Sequence, residues 1–237
     1  MDGELFPRER TEITPGAVHV PDWLGPERQR ELLDACRDWA RPPAGLRTVR
    51  TPGGGTMTAR QVCLGLHWYP YGYARTAADG DGAPVKPMPG WLAELGREAV
   101  AAAYGAPHRH PAPHRHPEPY PEPYPHPDAY DIALINFYDG DSRMGMHRDA
   151  EEKSGAPVVS LSLGDTCVFR FGNTASRGRP YQDVRLRSGD LFVFGGPARL
   201  AYHGVPKVLP GTAPPALGLT GRLNVTLRVG GLGTGPD

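Results

Sequence analysis

The second half of the chain is divided into short apolar segments by turn-forming residues, and this pattern limits the possible folds more than any other feature. The segments are rich in Val, Leu, Ile and Phe and span residues 131–138, 157–164, 166–172, 182–190, 191–196 and 222–229. Many short strands separated by Gly, Pro or Asp are typical of a β-sandwich or barrel. The 31 glycines and 28 prolines among 237 residues agree with a fold rich in turns. We therefore predict an antiparallel double sheet from residue 131 onward.

Two segments of the first half have helical rather than alternating spacing. Residues 25–40 carry Pro26 at a position suited to the first turn of a helix, and Leu32, Leu33 and Cys36 recur with helical spacing. Residues 90–104 show the same periodicity. We expect both segments to be framework helices that flank the sheets.

Residues 105–128, GAPHRHPAPHRHPEPYPEPYPHPD, differ from the rest of the chain. Proline recurs every two or three positions, which excludes helix and sheet interiors. Five of the nine histidines lie here, so a metal-binding tract is one interpretation. We favour an exposed, largely disordered or polyproline-type inserted loop with at most weak nickel or zinc binding, because the tract has no organised carboxylate or cysteine partners.

The charge and the cysteines exclude a strongly basic chain, a disulfide framework and a cysteine-based zinc motif. The formal net charge is zero, so any attraction to nucleic acid has to come from a local patch. Cys36, Cys63 and Cys167 are widely spaced and form neither a disulfide framework nor a zinc motif. The N-terminus is charged, and no stretch approaches the ~20 apolar residues of a membrane span. We expect a cytoplasmic, monomeric protein with no membrane segment.

A candidate metal site follows the strand at 131–138. His147 and Asp149 are two residues apart in GMHRDAEE, and side chains at that spacing share one face of an extended segment. The only later histidine is His203, which we place on an adjacent loop after the strand GDLFVFGG. Two histidines and one carboxylate form the facial triad of non-haem Fe(II) oxygenases, which leaves coordination positions open. A surface histidine at position 203 is the alternative.

The last predicted strand, GRLNVTLRVGG, carries polar residues at alternate positions. Arg222, Asn224, Thr226 and Arg228 would therefore share one face of the strand. A buried pair of arginines needs an anionic partner. The same alternation also fits the solvent face of an edge strand, and the strand alone does not decide between the two. Beside a facial triad, the arginines suit a chelating keto-dicarboxylate, because guanidinium groups bind carboxylates in a bidentate manner.

Together these motifs resemble the AlkB family of Fe(II)/2-oxoglutarate dioxygenases. The resemblance is carried by RTPGGGTMTARQVCLG (50–65), INFYDGDSRMGMHRDAEE (135–152), GDLFVFGGPARLAYHGVPK (189–207) and RLNVTLR, in the family's order and spacing. It covers residues 15–230 apart from the Pro/His tract. It implies a mainly β, jelly-roll (double-stranded β-helix) core at 129–230 with N-terminal helices and a nucleotide-recognition lid at 15–104. The whole chain, 1–237, would then be one dioxygenase domain, with the inserted loop at 105–128 and a tail at 231–237.

The resemblance also implies roles for individual residues. His147, Asp149 and His203 would bind Fe(II). One carboxylate of 2-oxoglutarate would be held by Arg222, Asn224 and Tyr138, and its metal-proximal end by Arg228 and Asn136. Ordinary strand polarity is the alternative for Asn136 and Tyr138.

Substrate contacts would come from GLHWYPYGYAR (65–75), which resembles the family's base-stacking segment. Trp68 would stack on an extruded base and Tyr73 would contact the nucleic-acid backbone; local core packing is the alternative. Between Trp39 and Ala78 the chain has five arginines and no acidic residue, which favours a basic lid or else a solvated face. The five are Arg41, Arg47, Arg50, Arg60 and Arg75, of which we take Arg50 and Arg60 as substrate contacts.

One position departs from the family pattern: Glu151 stands where well-studied relatives carry an aspartate that contacts the target base. The activity implied is oxidative demethylation of N-alkylated bases, such as 1-methyladenine and 3-methylcytosine, in single-stranded or locally opened DNA or RNA. It would couple 2-oxoglutarate decarboxylation to formaldehyde release and require O2. The alternatives are an Fe(II)/2-oxoglutarate hydroxylase of a protein or small molecule, and a non-catalytic nucleic-acid-binding module.

Overall fold

The structure is a computed structural model that describes residues 7–51, 53–70, 72–105 and 130–230. Nearly all of the Pro/His tract and the tail at 231–237 lie outside the described residues, so the interpretation of that tract stays a prediction. None of the helices in the described ranges combines the length and apolar composition that spanning a bilayer requires.

Both predicted helices are confirmed. α1 spans Pro26–Trp39, with proline in its first turn, and buries one face through Leu32, Leu33 and Cys36. α2 spans Gly90–Tyr104 and ends at Gly105, whose φ of +86° takes the chain out of the helix. The apolar faces of both helices pack in one cluster with side chains of the large sheet.

Within the described ranges, fourteen strands form two antiparallel sheets and one hairpin. They are β1 Thr11–Thr14, β2 Ala17–Val20, β3 Arg47–Arg50, β4 Thr56–Leu64, β5 His67–Tyr69, β6 Gly72–Ala74, β7 Ile132–Tyr138, β8 Met144–His147, β9 Val158–Gly164, β10 Thr166–Phe171, β11 Gln182–Leu186, β12 Leu191–Phe194, β13 His203–Leu209 and β14 Arg222–Arg228. The large sheet has the order β1-β2-β12-β9-β14-β7-β4-β3, and the small sheet has the order β11-β10-β13-β8. β5 and β6 form the separate hairpin.

The position of β14 decides between the two interpretations of its alternating sequence. The strand lies inside the large sheet, between β9 and β7, and is not an edge. Leu223, Val225 and Leu227 pack in the cluster with the helices. The alternate residues, from Arg222 to Arg228, line a cavity on the other face of the sheet, together with residues of the small sheet. Arg222 is 1% exposed and Arg228 is 6% exposed, so the solvent-face interpretation is wrong.

Two expectations about the strands need correction. His203 does not lie on a loop: it is the first residue of β13. The double sheet is also not confined to residues after 131, because β2 pairs with β12 and β4 pairs with β7. N-terminal strands therefore extend the large sheet on both sides of its C-terminal strands.

Candidate metal centre and co-substrate pocket

Strand pairing brings the two histidines together. β8 and β13 are neighbours, and His147 lies directly opposite His203 in their register. The centroids of the two rings are 4.4 Å apart. Asp149 follows two residues after the end of β8, with carboxylate oxygens 3.7 Å from His147 Nε2 and 3.6 Å from His203 Nε2. One ligand atom from each of the three residues lies within 4.8 Å of the others.

Both imidazoles are oriented by the backbone. His147 Nδ1 lies 2.9 Å from the carbonyl oxygen of Gly145, and His203 Nδ1 lies 3.0 Å from that of Ala201. A ring whose Nδ1–H donates to a carbonyl leaves the lone pair of Nε2 free for a metal. In both residues it is Nε2 that faces Asp149, so the tautomer suits a shared ion.

The charge states of the site also suit a cation. Burial alone would raise the pKa of Asp149, but the charge of Arg228, followed by those of His203 and His147, lowers it to about 2. Burial lowers the pKa of His203 to about 4, and His147 acts in the same direction. At neutral pH Asp149 is therefore ionised and His203 is uncharged, as metal ligands need to be.

Asp149 retains acceptor capacity that the described residues do not use. Its Oδ1 pairs with Arg228 Nη2 at 2.6 Å. Its Oδ2 is buried and has no hydrogen-bond partner among the described residues. A buried carboxylate oxygen without a donor is costly, and it faces two imidazoles. Two imidazole nitrogens and a carboxylate oxygen are the donor set of a facial Fe(II) site, so the residues present fit that ion.

Arg222 supplies a second unsatisfied charge in the same cavity. One terminal nitrogen, Nη2, donates to Ser162 Oγ at 3.0 Å. Nε and Nη1 are buried and have no partner among the described residues, and none of the ion pairs found there involves Arg222. A buried guanidinium is destabilising unless an anion compensates it. The cavity it lines also contains His147, Asp149 and His203, so this side chain fits the distal carboxylate of a ligand that chelates the metal.

The other residues expected to hold 2-oxoglutarate line this cavity too. Tyr138 is 2% exposed. Asn224 donates to Ser160 Oγ at 2.7 Å and accepts a hydrogen bond from Thr226 at 2.9 Å, which fixes its amide. Asn136 accepts a hydrogen bond from Gln61 Nε2 at 3.0 Å. The structure thus brings all five residues beside the triad.

Arg228 belongs to a buried network that the sequence analysis missed. Besides Asp149, it donates to Glu152 Oε1 at 2.8 Å. Glu152 has a fully buried side chain and also accepts from Arg199, whose guanidinium in addition donates to the carbonyl oxygen of Asp149 at 2.7 Å. The only signal in the sequence was a second glutamate directly after Glu151 and a lone arginine four residues before His203.

The hydroxyl of Tyr73 is hydrogen-bonded within this network, whereas we expected it to contact the nucleic-acid backbone. Its hydroxyl donates to Glu152 Oε1 and accepts from Arg228 Nη1 at 3.2 Å. The hydroxyl is therefore engaged beneath the β5–β6 hairpin and is not free to contact a nucleic-acid backbone. Burial raises the pKa of Tyr73, so the phenol stays protonated and can act as this donor.

A wider cleft of 530 Å³ adjoins the metal cavity and shares His147, Asp149 and Arg228 with it. Its volume lies in the range of small-molecule pockets. Trp68 and Glu151 both line this cleft. Trp68 also packs against an apolar cluster of Cys63, Ile132 and Leu134, so the core-packing interpretation holds for part of its surface.

Two of the five lid arginines have carboxylate partners. Arg47 is largely buried and pairs with Asp79 at 2.7 Å, and it also donates to the carbonyl oxygen of Trp68. Arg41 pairs with Asp38 at 2.9 Å. Both carboxylates lie just outside the window that appeared free of acidic residues.

The two arginines expected to contact substrate differ in position. Arg60 stacks over Phe137 at 4.9 Å and does not line the cleft, whereas its strand neighbour Gln61 does. Because neighbouring residues of a strand face opposite sides, a substrate contact for Arg60 is not supported. Arg50 is exposed at the end of β3, beside Thr51, which lines the cleft.

Comparisons with known proteins agree with this geometry. Residues 16–228 match the family model of the 2OG-Fe(II) oxygenase superfamily. The chain is 38% identical over 222 residues to the alpha-ketoglutarate-dependent dioxygenase AlkB homolog of Caulobacter vibrioides, covering 91% of this chain and 88% of that protein. It is 31% identical over 226 residues to the DNA N(6)-methyladenine demethylase ALKBH1D of Arabidopsis thaliana. That match covers 91% of this chain, which spans about half of the longer plant protein.

A solved structure extends the agreement to three dimensions. The structure of OsALKBH1 matches with a TM-score of 0.80 at 31% identity, covering 93% of this chain and all of that one. These matches confirm the jelly-roll fold, the resemblance to AlkB proteins, and the class of Fe(II)- and 2-oxoglutarate-dependent dioxygenase.

Proposed function

Since the chain belongs to the AlkB branch of the 2OG-Fe(II) oxygenase superfamily, we propose that it removes alkyl groups from the ring nitrogens of nucleic-acid bases. The substrates we propose are 1-methyladenine and 3-methylcytosine in single-stranded or locally opened DNA, with RNA as the second polymer. The reaction consumes O2 and 2-oxoglutarate and releases formaldehyde, succinate and CO2. We further propose that the protein acts as a monomer in the cytoplasm.

One observation carries this proposal: an unpaired buried carboxylate oxygen and an unpaired buried guanidinium share one cavity. In our assignment His147, Asp149 and His203 hold Fe(II). Arg222, with Asn224 and Tyr138, binds the distal carboxylate of 2-oxoglutarate. When bound, the iron supplies the activation of O2 that is coupled to decarboxylation of the co-substrate.

The residues around the metal control orientation and charge. Arg199 donates to the carbonyl oxygen of Asp149 and to Glu152, and so fixes the loop that follows β8. Arg228 pairs with both Asp149 and Glu152. In our assignment Arg228 and Asn136 support the metal-proximal end of the co-substrate. A site held by such buried pairs needs little reorganisation when ligands bind.

The target base is proposed to lie in the wider cleft, against Trp68. The peptide groups of Trp68 are fixed on both sides, because its N–H donates to Cys63 Sγ at 3.4 Å and its carbonyl accepts from Arg47. An indole on a held backbone, packed on one apolar cluster, is a suitable platform for a base extruded from its stack. Glu151 lines the same cleft, and we assign to it a hydrogen bond to the exocyclic amino group of the base. Arg50 is retained as a contact to the phosphate backbone.

The decisive experiment is a panel of methylated single- and double-stranded DNA and RNA oligonucleotides, incubated with Fe(II), 2-oxoglutarate and O2. We expect a mass loss of one CH2 unit per lesion and stoichiometric formaldehyde from 1-methyladenine and 3-methylcytosine, and none from unmethylated strands. His147→Ala should abolish turnover but keep oligonucleotide affinity within about threefold, because it removes a proposed metal ligand and leaves Trp68, Glu151 and Arg50 in place. Consumption of 2-oxoglutarate with a protein or metabolite but with no methylated strand would overturn the nucleic-acid substrate.

A second candidate substrate is N6-methyladenine in DNA, which is named for the plant relative. Here the methyl group is on the exocyclic nitrogen and not on a ring nitrogen, so the hydrogen bond assigned to Glu151 would meet a methylated amine. The same panel should therefore include N6-methyladenine, and Glu151→Gln should change the ratio of the two adenine activities. An unchanged ratio would remove Glu151 from the lesion contacts.

A further inference from the structure

A group of arginines and tyrosines outside the lid lies beside the cleft. Arg148, Arg177 and Tyr202 all line it. The guanidinium of Arg148 lies over the ring of Tyr202 at 4.7 Å, and that of Arg177 lies 6.0 Å from the same ring. Cation–π contacts of this kind hold long side chains in place while the guanidinium remains exposed.

A second tyrosine with two arginines over its ring lies directly before β11, the edge strand of the small sheet. The guanidinium groups of Arg170 and Arg179 lie 4.1 Å and 5.1 Å from the ring of Tyr181. The two tyrosines are joined through Gly172, whose N–H donates to the carbonyl oxygen of Tyr202 at 2.8 Å. A Cβ on Gly172 would lie 3.7 Å from the Cβ of Tyr181. The two clusters are therefore continuous.

The loop between β10 and β11, which carries Arg177 and Arg179, is exposed but held in place. The side-chain oxygen of Asn173 accepts from the N–H groups of Ala175 and Ser176 at 2.9 Å and 2.8 Å. Its amide nitrogen donates to the carbonyl oxygens of Gly178 and Pro180 at 3.2 Å and 3.1 Å. One side chain thus makes four hydrogen bonds across the loop, which presents its two arginines in a fixed position.

Most of the positive charge of this surface has no carboxylate partner, although Asp183 lies near enough to Arg179 for the two charges to interact. Arg170 pairs with Asp183 at 2.8 Å. In the described part of the chain, no ion pair involves Arg148, Arg177 or Arg179. We call these three arginines, with Tyr181 and Tyr202, the arginine ridge.

We propose that the arginine ridge binds the single strand that continues from the target base, an inference that rests on the proposed function. A guanidinium stacked on tyrosine keeps its other face and its N–H edge available. The face can stack on an unpaired base and the edge can donate to phosphate oxygens. Bases in a duplex already stack on one another, so a duplex can use only the edges. The ridge therefore favours single strands of DNA or RNA over duplex.

Binding of unmethylated strands tests the ridge without turnover. A labelled 12-nucleotide DNA strand, the same RNA strand and a blunt DNA duplex are titrated with the full chain by fluorescence anisotropy. For the double variant Arg177→Gln/Arg179→Gln we expect Kd for both strands to rise about tenfold, and Kd for the duplex less than threefold. The slope of log Kd against log salt for the strands should fall by about 1.4, since each lost phosphate contact contributes about 0.7.

Matched variants separate charge from geometry. Arg30→Gln removes an exposed arginine on α1 and should leave all three affinities unchanged. Asn173→Ala keeps every charge of the ridge and should weaken strand binding about threefold with the salt slope unchanged. Normal strand affinity in the double variant, or an equal loss for duplex and strands, would overturn the ridge. An Asn173→Ala variant that binds like the wild type would remove loop preorganisation from the proposal.

The outcomes also separate the ridge from the proposed function. If strands bind through the ridge but no methylated strand is demethylated, the function fails and the ridge stands. If demethylation proceeds and the double variant keeps the wild-type KM for strands, the ridge fails and the function stands.

Discussion

The protein buries two aspartates whose pKa is lowered to about 2, and they differ in how their oxygens are satisfied. Asp190, directly before β12, has both oxygens occupied. Arg8 donates to each of them, at 2.7 Å and 2.8 Å, and the backbone N–H groups of Asp22 and Arg187 donate to one oxygen each, at 3.0 Å and 2.9 Å. His19 Nε2 lies 2.9 Å from Oδ2. Asp149 has one oxygen paired with Arg228 and the other unpaired.

The difference shows that a low carboxylate pKa does not by itself mark a functional site. Burial opposes ionisation of both groups, but it is outweighed at Asp149 by the charges of Arg228 and the two histidines and at Asp190 by hydrogen bonds from His19, Arg8 and two backbone N–H groups. Asp190 joins the N-terminal segment to the large sheet, and its buried carboxylate has both oxygens hydrogen-bonded. Asp149 faces two imidazoles with an unused lone pair, and that unused capacity is what makes it a candidate metal ligand.

The largest effect should come from Asp149→Asn. Loss of the anionic metal ligand should lower formaldehyde release by at least about 10³-fold. The free energy of unfolding should change by less than about 2 kcal/mol, because Glu152 still pairs with Arg228. Steady-state assays and urea titrations measure the two quantities. A variant that retained a tenth of the wild-type turnover would exclude Asp149 as a ligand.

Asp190→Asn should show the opposite behaviour. It leaves Arg8 and its neighbours without their buried anion, and breaking such a pair costs about 3 kcal/mol of unfolding free energy. Turnover per folded molecule should be unchanged, since Asp190 lines neither the metal cavity nor the cleft. Urea titration gives the stability, and activity normalised to folded protein gives the rate. A specific loss of kcat in this variant would contradict the division between the two aspartates.

Arg222→Met should separate stability from binding within the metal cavity. Replacing an unpaired buried guanidinium by an apolar side chain of similar length should raise the stability of the ligand-free protein by about 1–2 kcal/mol. The affinity for 2-oxoglutarate should fall about 100-fold, because the distal carboxylate loses its partner. Thermal melts with and without co-substrate report both effects. A destabilised variant that still responds to 2-oxoglutarate would show that the arginine is structural.

Acid should weaken the Asp190 cluster over a defined range of pH. Its folded pKa of about 2 lies below the ordinary value of 3.8. The stabilisation is therefore complete above about pH 4 and is lost as the pH falls towards 2. The shift corresponds to about 2 kcal/mol. The difference in unfolding free energy between the wild type and Asp190→Asn should shrink by that amount between pH 5 and pH 2. A constant difference would mean that Asp190 is not the titrating group.

Local patterns in the sequence were enough to predict both helices and six of the strands, and with the family resemblance they identified the three residues that the structure brings together as candidate metal ligands. They were not enough to orient the strand from Arg222 to Arg228. Its alternation fits any strand with two unlike faces, and only its place between β9 and β7 shows which face is buried. Four-residue strands such as Thr11–Thr14 carry too short a pattern to be recognised.

Ion pairs between residues far apart in the sequence could not be predicted either. In the sequence Arg47 has no acidic neighbour, and we therefore counted it among the lid arginines that could bind phosphates. Its partner Asp79 is 32 positions away. The role of Glu152 depends in the same way on Arg199, 47 positions further along the chain. Neither contact has a local sequence signal, since the pairing depends on which loops the fold brings together.

The smallest effect should come from the contact between Tyr73 of the β5–β6 hairpin and the buried pair of Arg228 and Glu152. Tyr73→Phe keeps the ring and removes the hydroxyl shared by Glu152 and Arg228, which remain paired with each other at 2.8 Å. We expect a loss of about 1 kcal/mol, seen as faster hydrogen exchange across residues 67–74 and a severalfold higher KM for oligonucleotide at unchanged kcat. Among the described residues, none of the hydrogen bonds of Asp190 reaches the hairpin, so exchange in β2 and β12 should be unaffected. Equal acceleration in both regions would indicate global destabilisation, and the hairpin would then not be held by this hydroxyl.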